Sequence, residues 1–192
     1  MNDAELIAQV CNDNTSACRY LVDKYKNLVW HMVLRMVNQQ EDAEDLCQDV
    51  FLRVFRDIRK FRGDSKLSTW IGTIAYHVCV DYIRKKGREK VDFTDTMEKV
   101  AFGKVSDEDA SVLLDKSSVK KLVQQLIEKM PLHYRTVITL YHLEEFSYKE
   151  ISEVTGMPEG TVKSYINRGR NMIREKILQA VPDIYPVLNH AD

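Results

Sequence analysis

The sequence is poor in the residues that most often interrupt helices. Its 192 residues include seven glycines and four prolines, and regular β-type alternation is scarce, so the pattern favours helices over strands. No apolar run approaches the roughly 18 residues of a membrane span. The beginning, MNDAELIAQVCND, is acidic and lacks the basic start and apolar stretch of a secretory signal. We therefore expect a helical protein that is neither secreted nor inserted into a membrane.

The motifs of catalytic and metal sites are also missing. The four cysteines, Cys11, Cys18, Cys47 and Cys79, form no CxxC pair, so neither a zinc ribbon nor a dithiol redox centre is indicated. No phosphate-binding glycine loop, nucleophile elbow or metal-ligand motif occurs. We expect free thiols in a reducing compartment, no catalytic residue, no metal site and no cofactor.

Charged residues are abundant, with 28 basic and 29 acidic side chains, but they are unevenly distributed. Residues 1–90 carry a net charge of +2, residues 91–118 carry −4 and residues 119–192 carry +1. The acidic middle part lacks sustained periodicity, which is typical of a linker between two helical modules. We predict an all-α fold with a first module at 1–90, a linker at 91–118, a second module at 119–180 and a short tail at 181–192.

Two apolar stripes at helical spacing predict a pair of packed helices in the first module. They comprise Leu21, Val22, Tyr25, Leu28, Val29, Met32, Val33 and Met36, then Ala43, Leu46, Cys47, Val50, Phe51, Val54, Phe55 and Ile58. The second helix carries another stripe at helical spacing, Asp45, Gln48, Asp49, Leu52 and Arg56, and we call its first four residues the α3 stripe. Carboxylates, an amide and a leucine on one face form either a solvated surface or a docking surface for a partner helix. Spacing alone leaves both interpretations open.

The stretch from 61 to 88 combines aromatic and cationic side chains. FRGDS at 61–65 is typical of a loop, and Ser68 or Thr69 is the expected N-cap of the helix that follows. One side of that helix carries Thr73, Tyr76, His77, Val80 and Arg84. Rings beside a cationic end suit single-stranded nucleic acid, because bases stack on rings while Lys and Arg bind phosphates. Aromatic core packing would give the same pattern, so it stays an alternative.

The second module contains a pattern that is typical of a helix-turn-helix. Ser147 and Glu150 have capping-box spacing, Gly156 can end that short helix, and a long basic helix is expected from 161 to 177. In a helix-turn-helix the second helix enters the major groove, where its first residues contact bases. Those residues are Lys163, Ser164, Asn167 and Arg168. A plain pair of antiparallel helices is the alternative, and the turn residues and cations favour DNA binding.

Both modules, in this order and spacing, resemble an extracytoplasmic-function (ECF) sigma factor of bacterial RNA polymerase. The resemblance covers about residues 5–180. It rests on several strings that occur together, since one alone would be weak evidence. The strings are DAEDLCQDVFLRVF, FRGDSKLSTWIGTIA, the stretch from Asp81 to Arg84, MPLHYRTVITL, FSYKEIS and PEGTVKSYINRGR.

The resemblance implies an alternative sigma factor that binds core RNA polymerase, recognises minus-thirty-five and minus-ten promoter elements and initiates transcription of a specific regulon. The first module would be sigma region 2, and the second would be region 4. The α3 stripe, Asp45, Gln48, Asp49 and Leu52, would dock on the coiled coil of the polymerase clamp. Relatives usually have Glu where this chain has Asp49, so the charge is kept on a shorter side chain.

The resemblance also implies two sets of DNA-binding residues. Minus-ten recognition and strand opening would use Phe61, Arg62, Ser65, Trp70, Thr73, Tyr76, His77, Arg84 and Lys85. Minus-thirty-five recognition would use Thr161, Lys163, Ser164, Asn167, Arg168 and Arg170. This chain departs from relatives at His77, where Asn is usual, at Tyr165, where Arg is common, and at Asn167, where a hydrophobic residue is common. We expect these departures to alter promoter preference.

The partners implied are core RNA polymerase, through its clamp coiled coil and flap, promoter DNA and an anti-sigma factor, with no small-molecule substrate. The implied location is the cytoplasm, or the inner membrane where a membrane-bound anti-sigma factor holds the protein. Two other readings stay open. One is a stand-alone helix-turn-helix regulator that binds duplex DNA without polymerase, and the other is a sigma-like decoy that binds polymerase without opening promoters.

Overall fold

A computed structural model describes residues 2–37, 39–87 and 116–180. Those residues form α-helices and one 3-10 turn and contain no strand, so the all-α prediction is confirmed. The helices are α1 (Asp3–Cys11), α2 (Thr15–Val37), α3 (Gln40–Asp57), α4 (Leu67–Lys86), α5 (Lys116–Glu128), α6 (Leu132–His142), α7 (Tyr148–Thr155) and α8 (Glu159–Ala180). The 3-10 turn, Ile58–Lys60, follows α3 directly.

The first four helices form a bundle around α2. Helices α3 and α4 pack along α2 and against each other, and α1 packs on α2 and on the 3-10 turn. The two predicted apolar stripes supply the core, whose fully buried members include Leu21, Val29, Val33, Ala43, Val50 and Val54. An ion pair between Lys24 Nζ and Asp3 Oδ1, 2.8 Å long, also holds α1 on α2. The loop after the 3-10 turn is therefore anchored on a rigid bundle.

Helix α4 begins earlier than its sequence signals predicted. Its N-cap is Lys66, whose side chain makes no capping hydrogen bond, and Ser68 and Thr69 lie within the first helical turn. The prediction that one of them caps the helix was wrong. Leu67 is fully buried, and burying this apolar side chain extends the helix beyond the polar residues. Thr69 is buried with it, at 1% exposure.

The second module packs α5, α6 and α7 around α8. The predicted capping box is confirmed: Glu150 N donates to Ser147 Oγ over 3.2 Å, and Ser147 N donates to Glu150 Oε2 over 2.8 Å. Gly156 ends α7 in the left-handed conformation, with φ of 73°, which suits a residue without a side chain. The basic helix starts at Glu159, two residues before its predicted start. A helix-turn-helix is thus in place at α7 and α8.

The two modules are joined by the chain between α4 and α5. Gly87, with φ of 59°, ends α4, and α5 begins at Lys116. Most of the predicted linker at 91–118, and all of the predicted tail at 181–192, lie outside the described residues.

The modules also pack directly against each other, which the sequence did not indicate. Helix α2 contacts α6, and α4 contacts α7, so that buried residues of both modules form one continuous apolar cluster. Gly72 of α4 lies in this contact. A Cβ atom built on it would lie 3.4 Å from Val154 Cγ2 and 3.5 Å from Phe146 Cε2. We call this packing of α2 on α6 and α4 on α7 the closed arrangement.

Candidate nucleic-acid interface

The α3 stripe lies on the surface of the first module. Its four side chains, Asp45, Gln48, Asp49 and Leu52, are all exposed. Leu52 is 67% exposed, more than any other large hydrophobic side chain in the described part of the chain. The opposite side of α3 is buried in the bundle, which fixes the orientation of the stripe. A protruding leucine flanked by carboxylates and an amide can dock a helix of another protein.

The end of α3 is held by a cluster of charges at Asp57. Arg56 Nη2 and Lys60 Nζ each donate to its carboxylate over 2.6 Å. The hydrogen bonds from Arg56 and then Lys60 lower the pKa of Asp57 to about 2. These ion pairs lie at the junction of α3 and the 3-10 turn, which leads into the loop at 61–66.

That loop is fixed by a pair of aromatic rings. Phe61 and Trp70 pack edge to face, with ring centroids 5.5 Å apart and an interplanar angle of 62°. Both are half-buried, whereas Arg62 is exposed. Gly63 has φ of 80°, a conformation that glycine adopts readily. The loop therefore presents the exposed cation of Arg62 beside two half-buried rings.

A cavity of about 460 Å³ lies between this loop and α1. Its lining comprises Asp3, Ala4, Ile7 and Ala8 from α1, with Phe61, Arg62, Gly63, Ser65 and Leu67 from the loop and the start of α4. Phe61, Arg62 and Ser65 were predicted to bind nucleic acid, so the structure brings these three together. The contribution of α1 was missed, because α1 has no cationic or aromatic pattern of its own.

The middle of α4 presents less surface than the sequence predicted. Tyr76 and Val80 are each 4% exposed, because α4 packs against α2, α3 and α7 and so is covered on several sides. Burial raises the pKa of the Tyr76 phenol. The Thr73 hydroxyl donates to the carbonyl oxygen of Thr69 over 2.9 Å. Of the candidates in this part of α4, only His77 is exposed, and its ring lies edge-on to Tyr76 at 5.8 Å.

The two remaining minus-ten candidates are at the other end of α4. Arg84 and Lys85 are exposed in its last turn. The neighbouring Lys86 is engaged by Asp42 of α3, with Nζ and Oδ2 3.0 Å apart. At 1.5 Å per residue, the 20 residues of α4 extend roughly 30 Å. The exposed cations of the loop and of this helix end therefore lie at opposite ends of α4.

In the second module, α8 presents one face to solvent. Lys163 and Asn167 are exposed one turn apart, and Thr161, Ser164 and Arg168 are partly exposed. Val162 and Ile166 are fully buried beneath them. These five polar side chains therefore lie where a helix-turn-helix contacts DNA.

Two other residues of α8, Tyr165 and Arg170, contact side chains of α6. The Arg170 Nε donates to His142 Nε2 over 3.0 Å, and its guanidinium lies 5.3 Å from the Tyr141 ring centre. Burial, and then the charge of Arg170, lower the pKa of His142. Tyr165 packs on Tyr134, with ring centroids 4.9 Å apart. Tyr165 is thus a packing residue in this structure, a role its polar neighbours in the sequence did not reveal.

Two ion pairs and one contact between a histidine and a glutamate cross between the modules, and sequence patterns signalled none of them. His31 Nδ1 lies 2.6 Å from Glu144 Oε1, Arg35 Nη1 lies 2.5 Å from Glu128 Oε1, and Lys66 Nζ lies 2.8 Å from Glu150 Oε1. Burial alone would raise the pKa of Glu150, but hydrogen bonds from Lys66 and Ser147 lower it to about 2. Glu150 therefore caps α7 and pairs with Lys66 at the same time.

Other kinds of site have less support. Burial raises the pKa of the Cys79 thiol, and burial together with the charge of Glu44 raises that of Cys47 to about 11. Both thiols are therefore protonated and weakly nucleophilic at neutral pH. Within residues 2–37, 39–87 and 116–180, no group of three or more His, Cys, Asp or Glu could hold a metal ion. No helix of that part is long and apolar enough to cross a membrane.

Comparison with known protein families gives two matches that cover both modules. The family described as Sigma-70 region 2 matches residues 21–89. The family described as Sigma-70, region 4 matches residues 120–173.

Curated relatives are similar over nearly the whole chain. The ECF RNA polymerase sigma factor SigW of Bacillus subtilis (strain 168) is 36% identical over 179 residues, which cover 89% of this chain and 94% of that protein. The ECF RNA polymerase sigma-E factor of Escherichia coli (strain K12) is 30% identical over 182 residues, which cover 92% of this chain and 95% of that protein.

Solved structures show the same helical architecture. The sigma factor RpoE of Bartonella quintana, in complex with the anti-sigma factor NepR, has a TM-score of 0.60 and 25% identity, and the match covers 84% of this chain and 96% of that chain. CnrH, in complex with the cytosolic domain of CnrY, has a TM-score of 0.64 at 19% identity, covering 93% of this chain and 98% of that chain. The second likeness concerns the fold alone.

Proposed function

The chain belongs to the extracytoplasmic-function sigma factors of bacterial RNA polymerase, and we propose how its residues divide the work of such a factor. It is an alternative sigma factor, which binds core RNA polymerase, recognises promoters and initiates transcription. Residues 1–90 act as region 2, residues 119–180 act as region 4, and residues 91–118 link them. The tail at 181–192 is assigned no role.

The α3 stripe is the surface that docks on the polymerase clamp. Its exposure supports this assignment, because a leucine that is 67% exposed gains about 25 cal/mol for each Å² of apolar surface that a partner covers. Asp45 and Asp49 add charge that can pair with cations of the partner, and Gln48 adds hydrogen-bonding groups. Asp49 reaches less far than the usual glutamate, so the partner helix must approach more closely there.

The loop at 61–66 and both ends of α4 bind the minus-ten element. Phe61 lines the cavity with Arg62 and Ser65, and Trp70 packs on Phe61. Aromatic rings stabilise a base that is taken out of the stack. Arg84 and Lys85 neutralise phosphates roughly 30 Å away, at the other end of α4. His77 is exposed between these points and is the α4 side chain best placed to change base preference. Thr73, Tyr76 and Val80 act indirectly, by packing and hydrogen bonding within the bundle that holds His77 in place.

Helix α8 binds the minus-thirty-five element in the major groove. Lys163 and Asn167 are exposed, and the partly exposed Thr161, Ser164 and Arg168 flank them. Asn can make two hydrogen bonds with adenine, and Arg can make two with guanine. Arg170 is held by His142 and Tyr141, so it contacts the phosphate backbone only if it leaves α6. Asn167, in place of the usual hydrophobic residue, gives this factor its own minus-thirty-five preference.

The proposed partners are the polymerase flap and an anti-sigma factor, in addition to the clamp and promoter DNA. The polymerase flap would contact the second module, where an apolar groove of about 570 Å³ lies between α5, α6 and α8. An anti-sigma factor is a further partner, because the RpoE relative is bound to one. The chain has no catalytic activity of its own, and it acts in the cytoplasm or at an inner-membrane anti-sigma factor. Members of its family are regulatory initiation factors.

One observation carries this proposal: the α3 stripe is exposed in a chain that matches both sigma regions.

The proposal is tested with a variant that should lose strand opening but keep its binding to core polymerase. Trp70→Ala removes a ring of the loop and should reduce permanganate reactivity of the minus-ten strand while leaving affinity for core polymerase unchanged. Tyr20→Ala is the matched control, since Tyr20 is a 44% exposed aromatic residue on α2. Normal strand opening by the folded Trp70 variant would contradict the assignment.

A further inference from the structure

The groove of about 570 Å³ between α5, α6 and α8 presents apolar surface that the described residues do not cover. Its apolar lining consists of Val123, Ile127, Ile138, Leu143, Ile173 and Ile177. Leu143 is 47% exposed, and Val123 and Ile173 are partly exposed. Because apolar surface is more stable out of contact with water, an apolar segment that covers these side chains is stabilised there.

The charge around this groove has one sign. Arg170 and Arg174 line it and are exposed, and no carboxylate is among the described residues that line it. Arg170 is held in this position by its hydrogen bond to His142, which also lines the groove. The groove therefore fits a segment that combines apolar side chains with a carboxylate and carries no cation of its own.

The sequence that directly follows α8 has this composition. Residues 181–188 read VPDIYPVL, with one carboxylate, at Asp183, and apolar side chains besides the prolines at Val181, Ile184, Tyr185, Val187 and Leu188. No Lys or Arg occurs between 181 and 192. Proline disfavours the continuation of a helix, and Pro182 stands two residues after the last residue of α8. The chain can therefore turn back along α8 at this point.

The length of this segment matches the length of the groove. On α8 the lining residues extend from Ile177 back to Arg170, which lies about 15 Å along the helix before Ala180. Eight extended residues after Ala180 span up to about 26 Å, enough to return along that whole wall. Asp183 can reach about 10 Å from Ala180, and Arg174 lies about 9 Å before it. The carboxylate and the cation can therefore lie side by side.

We propose that residues 181–188 dock in this groove in the free protein, with their apolar side chains on its apolar wall and Asp183 beside Arg170 and Arg174. The segment is then an intramolecular ligand of the second module. The polymerase flap is proposed to contact the same groove, so the flap and the segment compete for it. This competition rests on the proposed function, whereas the docking of the segment does not.

A photo-cross-linking amino acid tests where the segment lies. Benzoylphenylalanine replaces Tyr185 in the full chain, and the cross-links that form in the free protein are mapped by mass spectrometry. We expect intramolecular cross-links to the groove residues of α5, α6 and α8. The same probe in place of Tyr20, which is 44% exposed on α2, is the control and should not label the groove. Cross-links from position 185 to the first module, or to a second copy of the chain, would overturn the inference.

Charge substitutions distinguish docking from mere proximity to the groove. Ile184→Asp together with Leu188→Asp should reduce the cross-links at least about tenfold, because carboxylates are costly to bury among apolar groups. Asn189→Asp together with His190→Asp adds two carboxylates at polar positions just beyond the segment and should leave the cross-links unchanged. Equal yields from the two variants would contradict the docking. Labelling of the groove by a probe in place of Phe102, and not by the probe at 185, would assign the groove to the linker instead.

Core polymerase separates this inference from the proposed function. When the full chain is bound to core polymerase, the cross-links from position 185 to the groove should decrease, and the Ile184→Asp, Leu188→Asp variant should bind polymerase more tightly than its control. Undiminished cross-links in that complex would rule out the competition. Failure of the unsubstituted chain to bind core polymerase would overturn the proposed function and leave the docked segment in place.

Discussion

Arg135 of α6 donates a hydrogen bond from Nη2 to the carbonyl oxygen of Met36 in α2, over 3.2 Å, across the contact between the two modules. Its Nη1 donates to the carbonyl oxygens of Glu128, over 2.9 Å, and Met130, over 3.3 Å. The side chain is 6% exposed. One buried guanidinium therefore satisfies the end of α2 and the turn between α5 and α6 together.

Removing this guanidinium should destabilise the closed protein. Arg135→Leu leaves three carbonyl groups without a donor, and hydrogen bonds from a charged group contribute about 1.5–3 kcal/mol each to the free energy of unfolding. We expect a loss of at least about 1.5 kcal/mol in urea denaturation. Lys121→Ala, at an exposed cation of α5, is the control and should change stability by less than about 0.5 kcal/mol. Equal losses in the two variants would show that Arg135 does not anchor the contact.

Reversing one charge of the α3 stripe should weaken polymerase binding without unfolding the protein. Asp49 is exposed, so Asp49→Lys removes no buried contact. The substitution places a cation at a position where the proposed clamp contact uses the carboxylate of Asp49. We expect pull-down of core polymerase to fail. Asp23→Lys makes the same charge change on α2, where Asp23 pairs only locally with Lys26, and should bind normally. If both variants bind as the unsubstituted chain does, the stripe is a solvated surface.

Two neighbouring residues of α8 should have separable effects on promoter recognition. Lys163→Ala should weaken binding to all minus-thirty-five sequences. It should also reduce the slope of the logarithm of the binding constant against the logarithm of salt concentration by about one, as expected when one phosphate contact is lost. Asn167→Ala should cost about 1–3 kcal/mol at the preferred sequence and relax the choice of base at one position. Binding of the holoenzyme to a library of minus-thirty-five variants measures both. A uniform loss for Asn167→Ala would make Asn167 a phosphate contact instead.

Gly169 should be required for the packing of α8 on α6. A Cβ on Gly169 would lie 2.9 Å from Ile138 Cγ1 and 3.3 Å from Met130 Cε, so either the Ile138 side chain or the helices α6 and α8 must shift to admit it. We expect Gly169→Ala to lower the free energy of unfolding by about 1–3 kcal/mol, as overpacking does. Gly160→Ala, on the same helix with open space around its Cβ position, should be neutral or stabilising by up to about 1 kcal/mol. The reverse order of stabilities in urea would contradict this packing.

Local sequence signals predicted much of the fold and part of the site. The Ser147–Glu150 capping box and the turn at Gly156 depend on residues a few positions apart, so their spacing shows them directly. The α3 stripe is visible in the same way. Because the apolar face of α3 is buried, the α3 stripe on its other side must face solvent. The exposure of Leu52 agrees with this.

The interface between the modules was not predictable in this way. Lys66 and Glu150 are 84 residues apart in the chain and meet through packing alone. The sequence around Gly72 does not indicate that a helix of the second module packs there. Tyr76 and Val80, which the pattern predicted to be exposed, are also buried. Periodicity assigns one buried face to a helix, but α4 packs against α2, α3 and α7.

Run-off transcription with sigma-free core polymerase on fragmented genomic DNA of the host tests the central claim most directly. The purified chain is added, and the 5′ ends of the new transcripts are sequenced. We predict new start sites that share two spaced upstream elements, and those elements would reveal what His77 and Asn167 select. Stable binding to core polymerase without any new start site would contradict promoter recognition by this chain and would identify it as a sigma-like decoy.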